Sequence, residues 1–196
     1  LGNLDLGGTN TYTGGTVVDF GLLRFMTTSS LSSTGSITVN SGGSVGTAYA
    51  MDQAFLNDIT SNSVGVAALG GDSGNNLDFS NLGGMALGAM GDYIFSGSLT
   101  PNSAVGYQLG GGGVDNLMSQ ATAVGPNSVL YIANANTITG TNNVMVSAHG
   151  SAGAAVVFDD TQNFTGTLTV TGNLNASTIS PTNYPSAGNN QYNLAA

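Results

Sequence analysis

The chain has 196 residues and a formal net charge of −9, set by ten Asp against a single Arg, Arg24, with no Lys, Glu or Cys. One guanidinium cannot neutralise a run of phosphates, so nucleic acid is excluded as a partner. No apolar run approaches about 18 residues, so no membrane insertion is expected, and the lack of Cys removes both a disulfide framework and a thiolate metal site.

Only 6% of residues are charged, against about 25% in an average soluble protein. Solubility therefore falls to Ser, Thr, Asn and Gly, which suit turns and strand faces better than helices. Without Lys the chain cannot form Lys–Asn isopeptide cross-links or lysine-linked pili, and trypsin has one site, after Arg24. Leu1 is not an initiator Met, which reads as a processed product or a fragment.

In chain order, Leu4 and Leu6 alternate with Asn3 and Asp5. The unit Gly8-Thr9-Asn10-Thr11-Tyr12-Thr13-Gly14-Gly15-Thr16 then runs into a β-rich stretch, 16–26, broken at Gly21. Ser36-Ile37-Thr38-Val39-Asn40 alternates and turns at Ser41-Gly42-Gly43, the period-2 pattern of a half-buried strand. Residues 48–60 differ. Ala48, Met51, Phe55 and Ile59 recur at spacings of three and four, which predicts one short helix, placed to cover an open end or edge of the sheet stack. Short strands resume over 64–110, Tyr93-Ile94-Phe95 being the clearest, and four more follow within 128–172. Residues 173–196 carry Pro181, Pro185 and several Asn. They read as an extended polar arm or linker with apolar anchors at Ile179, Tyr184, Tyr192 and Leu194.

The first unit recurs. Thr161-Gln162-Asn163-Phe164-Thr165-Gly166 repeats it with Phe for Tyr, and Asn136-Thr137-Ile138-Thr139-Gly140-Thr141 is a looser copy. The shared pattern, Asn-x-(aromatic or Ile)-Thr-Gly, puts Tyr12, Ile138 and Phe164 at one motif position. The interval from Ile138 to Phe164 is in the twenties, that of stacked one-turn units, each too small to bury its own apolar face. Tyr12, Ile138 and Phe164 are accordingly expected at equivalent buried positions. The expected fold is all-β, a β-solenoid (β-helix-like) or a stacked β-sandwich of short strands, with one short helix near 48–60. Residues 1–172 would form the repeat domain, with a subdivision into 1–63 and 64–172, and 173–196 the arm.

The stretch from Thr9 to Val17, with Gly35-Ser36-Ile37-Thr38-Val39-Asn40-Ser41-Gly42-Gly43, resembles the autotransporter-associated β-strand repeat of large bacterial surface proteins. The middle of the chain is similar to segments between such repeats in giant exported proteins of planctomycete-type bacteria. It includes Ala68-Leu69-Gly70-Gly71-Asp72-Ser73-Gly74-Asn75-Asn76-Leu77-Asp78-Phe79, Tyr93-Ile94-Phe95-Ser96-Gly97-Ser98-Leu99-Thr100-Pro101-Asn102 and Tyr107-Gln108-Leu109-Gly110-Gly111-Gly112-Gly113. The resemblance covers most of 1–172 and implies an extracellular β-helical stalk or fibre with no catalytic residues.

Asp72, Asn75 and Asp78, with Asn76, lie in one glycine-rich loop, where oxygen ligands at this spacing could hold Ca²⁺. The alternative is a solvated turn in which Asp and Asn serve backbone hydrogen bonds. Asp159-Asp160 is the only adjacent acid pair, and His149 lacks any Gly-x-Ser-x-Gly elbow around it. The run 110–113 lacks the Lys and Ser/Thr of a phosphate-binding loop and reads as a connector. The reading is a non-enzymatic structural subunit of an extracellular bacterial fibre or surface stalk. It would self-assemble head-to-tail through the arm, with other copies of the chain as partner. The second reading is an adhesin segment binding glycan or another surface, and the third a polysaccharide-active β-helix.

Overall fold

The computed structural model describes residues 2–32, 35–113, 128–147, 149 and 155–171, and the backbone of 192–194. The chain begins with β1 (Asn3–Leu6), β2 (Thr16–Phe25) and β3 (Ile37–Thr47), followed by the helix α1 (Gln53–Asn57). The strands that follow are β4 (Val66–Leu69), β5 (Leu77–Asp78), β6 (Ala86–Ala89), β7 (Asp92–Phe95), β8 (Leu99–Thr100) and β9 (Tyr107–Leu109). The last are β10 (Val129–Ile132), β11 (Thr139–Gly140), β12 (Val144–Ser147), β13 (Ala155–Phe158), β14 (Asn163–Phe164), β15 (Leu168–Thr171) and β16 (Tyr192–Leu194).

These strands wind into a β-solenoid of about seven turns, not a sandwich. One face is a nine-stranded sheet in the order β1-β2-β3-β4-β6-β9-β12-β15-β16, a second is β13-β10-β7, and a third carries the short pairs β5–β8 and β11–β14. All pairings between these strands are parallel, as they must be when each strand stacks on the one a full turn earlier. The register measures the turn. Val45 faces Ala67, Ala67 faces Leu87 and Leu87 faces Leu109, so these turns are all close to the same length. The turn from Val144 to Leu168 is slightly longer. One turn is exceptional: Tyr107 faces Val144, and the extra residues fall between Leu109 and Val129, where the next strand of the second face begins.

The period-2 alternation of each strand sends every second side chain inward. Leu23, Val45, Ala67, Leu87, Leu109, Val146 and Val170 therefore form one continuous buried row through seven rungs. A second row joins Phe25, Thr47, Leu69 and Ala89. The sheet crosses residue 63 unbroken, because β3 pairs with β4, and one apolar cluster extends from Val18 to Val170. A small second cluster, Leu22, Val66, Ala68, Ala86 and Met90, lies on the outer side of the large sheet. Residues 110–113 lead out over it: Gly110, Gly111 and Gly112 all have positive φ, and a Cβ on Gly112 would stand 2.6 Å from that of Ala68.

The expected short helix is present within 48–60, shorter than the apolar spacing suggested. It covers Gln53–Asn57 only, capped by the Asp52 carboxylate, which accepts from Phe55 N at 2.9 Å. Met51, Phe55 and Ile59 are buried as their spacing implied, Ala48 is only half-buried, Leu56 is buried as well, and the rings of Phe25 and Phe55 meet edge to face at 6.0 Å. The helix stops because the ladder claims the next residues: Ile37 N donates to Asp58 O and Thr60 N to Ile37 O, both at 2.8 Å. It therefore sits inside a turn between β3 and β4, third and fourth in the sheet, and covers no end.

Candidate functional site

The polar side chains gather at the corners between faces, and there they serve the neighbouring turn. Asp72 accepts from Ile94 N and Asn76 from Ser98 N, each 22 residues on. Asn143 accepts from Thr167 N, 24 residues on. In the other direction Asn102 donates to Ser80 O and Leu82 O, and Ser73 to Met51 O. A turn between short strands leaves backbone N–H and C=O groups that the ladder cannot reach, and buried ones must find partners. Short Asx and Ser side chains supply them at one-turn spacing. Glycine fills the remaining close approaches: a Cβ on Gly97 would stand 2.0 Å from Asn75 O, and one on Gly106 would stand 2.2 Å from Asn143 O. This is the physical content of a composition rich in Gly, Asn and Ser and almost free of long charged side chains.

The proposed Ca²⁺ ligands take part in this pattern. Asp72 is engaged with Ile94 N, Asn75 donates to Met51 O at 3.0 Å, and Asp78 accepts from Ser80 N at 2.8 Å. The three side chains thus reach three separate backbone partners. Among the described residues no group of three or more His, Cys, Asp or Glu comes together.

The motif copies divide. Ile138 and Phe164 are buried, at 0% and 3% exposure, whereas Tyr12 is 37% exposed, which corrects the expectation that all three occupy the core. The Tyr12 hydroxyl lies 3.0 Å from Thr16 Oγ1, and its ring edges the outer rung. The repeat spacing is also not the turn length. Gly140, rather than Ile138, faces Phe164, and Ile138 stands one rung from Gln162, whose Oε1 accepts from Ile138 N at 2.9 Å. Gln162, 1% exposed, also donates to Asn134 O and Asp160 O. Sequence reasoning missed it, although it occupies the motif position of Asn10 and Asn136. Asn10 does similar work, donating to Ser30 O at 2.6 Å.

The backbone of Tyr192–Leu194 is β16, paired in parallel with Leu168, Thr169 and Val170 of its own chain. The step from Leu168 to Tyr192 equals that of the turn before it, from Val144 to Leu168. The backbone of Tyr192 to Leu194 thus stands in this chain's own sheet. Ile179 and Tyr184 lie outside the described residues.

Among the described residues the titratable groups do not converge. Burial raises the Asp58 carboxyl above the ordinary Asp range, with the Asp52 charge adding to it, and burial likewise raises Tyr49. Burial lowers the His149 imidazole, and its buried Nε2 has no hydrogen-bond partner among the described residues. Asp160 accepts from Thr161 N at 2.7 Å.

A cleft of about 670 Å³ lies at the β1 end, lined by Leu4, Leu6, Tyr12, Val18, Phe20 and Leu23 among others. Leu4 and Phe20 there are 55% and 75% exposed. No protein-family model matches the chain, and no curated protein or solved structure is found similar to it.

Proposed function

We propose that the chain is a passive structural element, a subunit or repeat of an extracellular bacterial fibre or surface stalk that stacks end to end with copies of itself. The observation that supports this most is where the polar groups go. Carboxylates and amides that an active site would gather in a pocket are spread along the corners, Asp72, Asn76 and Asn143 spent on the next turn's backbone and Asn102 on the previous one's. The fold also has the polarity a fibre needs. Every strand of the large sheet runs parallel, so its two ends differ, and a head-to-tail contact does not close on itself. β1 has no strand on its outer side among the described residues, and an unpaired edge is a template for another chain. The likeness to autotransporter-associated repeats agrees with this reading. With β16 in the chain's own sheet, the contact we propose is between sheet edges rather than through an exchanged arm.

Sedimentation velocity and negative-stain microscopy over a concentration series test the reading. Rods longer than one chain, growing with concentration and shortened by Leu4→Lys in β1, are expected. Single particles at every concentration would contradict it.

A glycan-binding adhesin remains the second reading, and the exposed rings of Tyr12 and Phe20 at one cleft favour it. The cleft is apolar rather than the polar groove a sugar requires, which ranks it below the first. Retention on a glycan panel, lost in Tyr12→Ala, would reverse that order.

A further inference from the structure

Arg24 is the single residue after which a trypsin-class protease can cut this sequence. It lies in β2 with a strand on each side: residues 22–25 face Asn3, Leu4, Asp5 and Leu6 of β1, and Ser44, Val45, Gly46 and Thr47 of β3. Arg24 Nε donates to Asp5 Oδ1 at 3.0 Å, and its Nη2 is paired with Asp5 Oδ2. Phe25, on the far side of the scissile bond, is fully buried.

Such a protease has two requirements. The guanidinium must enter an acidic pocket, and the backbone before the bond must be extended with a free edge against which the enzyme can pair. Here Asp5 holds the guanidinium and β1 holds the edge, so a single short strand blocks both. That strand is weakly secured: among the described residues it pairs on one side only, its first three residues are exposed, and Leu4 is among the most exposed apolar side chains. Terminal strands with few buried contacts open locally at a small fraction of the free energy of global unfolding. When β1 lifts, β2 becomes an edge strand with Arg24 released, already in the conformation a protease binds.

We propose that the Arg24–Phe25 peptide bond is a latent processing site for a trypsin-class protease, closed by β1 and exposed by its local detachment. Hydrolysis breaks the bond between Arg24 C and Phe25 N with addition of one water, leaving a carboxylate on Arg24 and an amine on Phe25. The products are 1–24 and 25–196. The cut would release β1 and most of β2 and expose β3 as the new end of the stack.

The test is digestion of the intact 196-residue protein by trypsin under native conditions, followed by mass spectrometry, beside the same chain in urea. The folded protein should be cut at least a hundredfold more slowly than the unfolded one, at Arg24 alone. Asp5→Ala should accelerate cutting several-fold. Leu4→Pro, which removes a ladder donor from β1, should accelerate it at least tenfold. Phe164→Ala, at the other end of the solenoid, should change it less than twofold. Cutting of the folded protein as fast as the unfolded chain would overturn the proposal. So would a Leu4→Pro variant cut no faster than wild type, or a Phe164→Ala variant cut faster than Leu4→Pro, since cleavage would then require global unfolding.

Discussion

Related copies of one five-residue motif occur in the first turn and in the last turns of the solenoid, with opposite outcomes. Phe164 has a turn stacked beside it, with Gly140 as its ladder partner, and is buried. Tyr12 sits in the outermost turn. β1 covers only residues 22–25 of β2, so residues 16–20 beside Tyr12 lack a strand on that side among the described residues, and Tyr12 is exposed. Burial in this fold is conferred by the adjacent rung and not by the local motif, because a one-turn unit cannot enclose its own apolar side chain.

Substitutions at the two positions should differ most. Phe164→Ala should cost about 3–5 kcal/mol in urea unfolding, through lost transfer energy and a residual cavity. Tyr12→Ala should cost below about 1 kcal/mol, as surface substitutions do. Equal losses would remove the distinction between inner and outer rungs.

The glycines sharpen it at the next level. Gly106 and Gly140 have φ of +78° and +80°, so Ala is strained at both. Gly140 has nothing within 4 Å of a built Cβ, whereas Gly106 has Asn143 O at 2.2 Å. Gly140→Ala should cost about 1–2 kcal/mol, the left-handed penalty alone. Gly106→Ala should cost about 3 kcal/mol or more, since the neighbouring turn's backbone must also move. Matching values in thermal or urea unfolding would show that the turns do not constrain one another as described. Asn143→Ala, which strips the corner acceptor from Thr167 N, should cost about 1 kcal/mol.

The smallest effect is a dependence on pH. Burial depresses the His149 pKa in the folded chain, so the unfolded chain binds the proton first as pH falls. Stability from neutral His149 is fully present above its ordinary value of 6.5 and is lost as pH drops from there toward the depressed folded value. Asp58 acts in the opposite sense: its raised pKa favours the folded state as the carboxyl protonates. Unfolding midpoints at pH 7.5 and 5.5, compared between wild type and His149→Gln, should show a smaller difference in the variant.

Much of this architecture is legible in the residues. Alternation marked the strands, and a composition poor in long side chains matched the requirement for short corner hydrogen bonds. The helix was half legible. Asp52 caps it and its apolar spacing is real, yet Ile59 belongs to a ladder with Ile37, a contact one full turn distant that no local period encodes. The Asx loop at 72–78 left a cation site and a hydrogen-bonded turn both open, because single-sequence spacing cannot show that each side chain reaches a different backbone partner. Gln162 was passed over for a related reason: it reaches Asn134 O and Ile138 N in the rung before it. The motif interval, Ile138 to Phe164, misstated the turn, which runs from Gly140 to Phe164, by two positions. Both offsets keep Ile138 and Phe164 on the inward side, so the apolar pattern cannot tell them apart.

That two-position difference provides the most direct test of the stacking. The sequence contains no Cys, so paired cysteines report without interference. Thr139 faces Asn163 in adjacent rungs, and both side chains are exposed. Thr139→Cys with Asn163→Cys should form a disulfide readily on mild oxidation. Thr139→Cys with Thr165→Cys, the pair that motif alignment would favour, places the Cα atoms about 8 Å apart and should remain reduced. A bridge in the second pair and not in the first would contradict the register of Thr139 on Asn163 and the stacking derived from it.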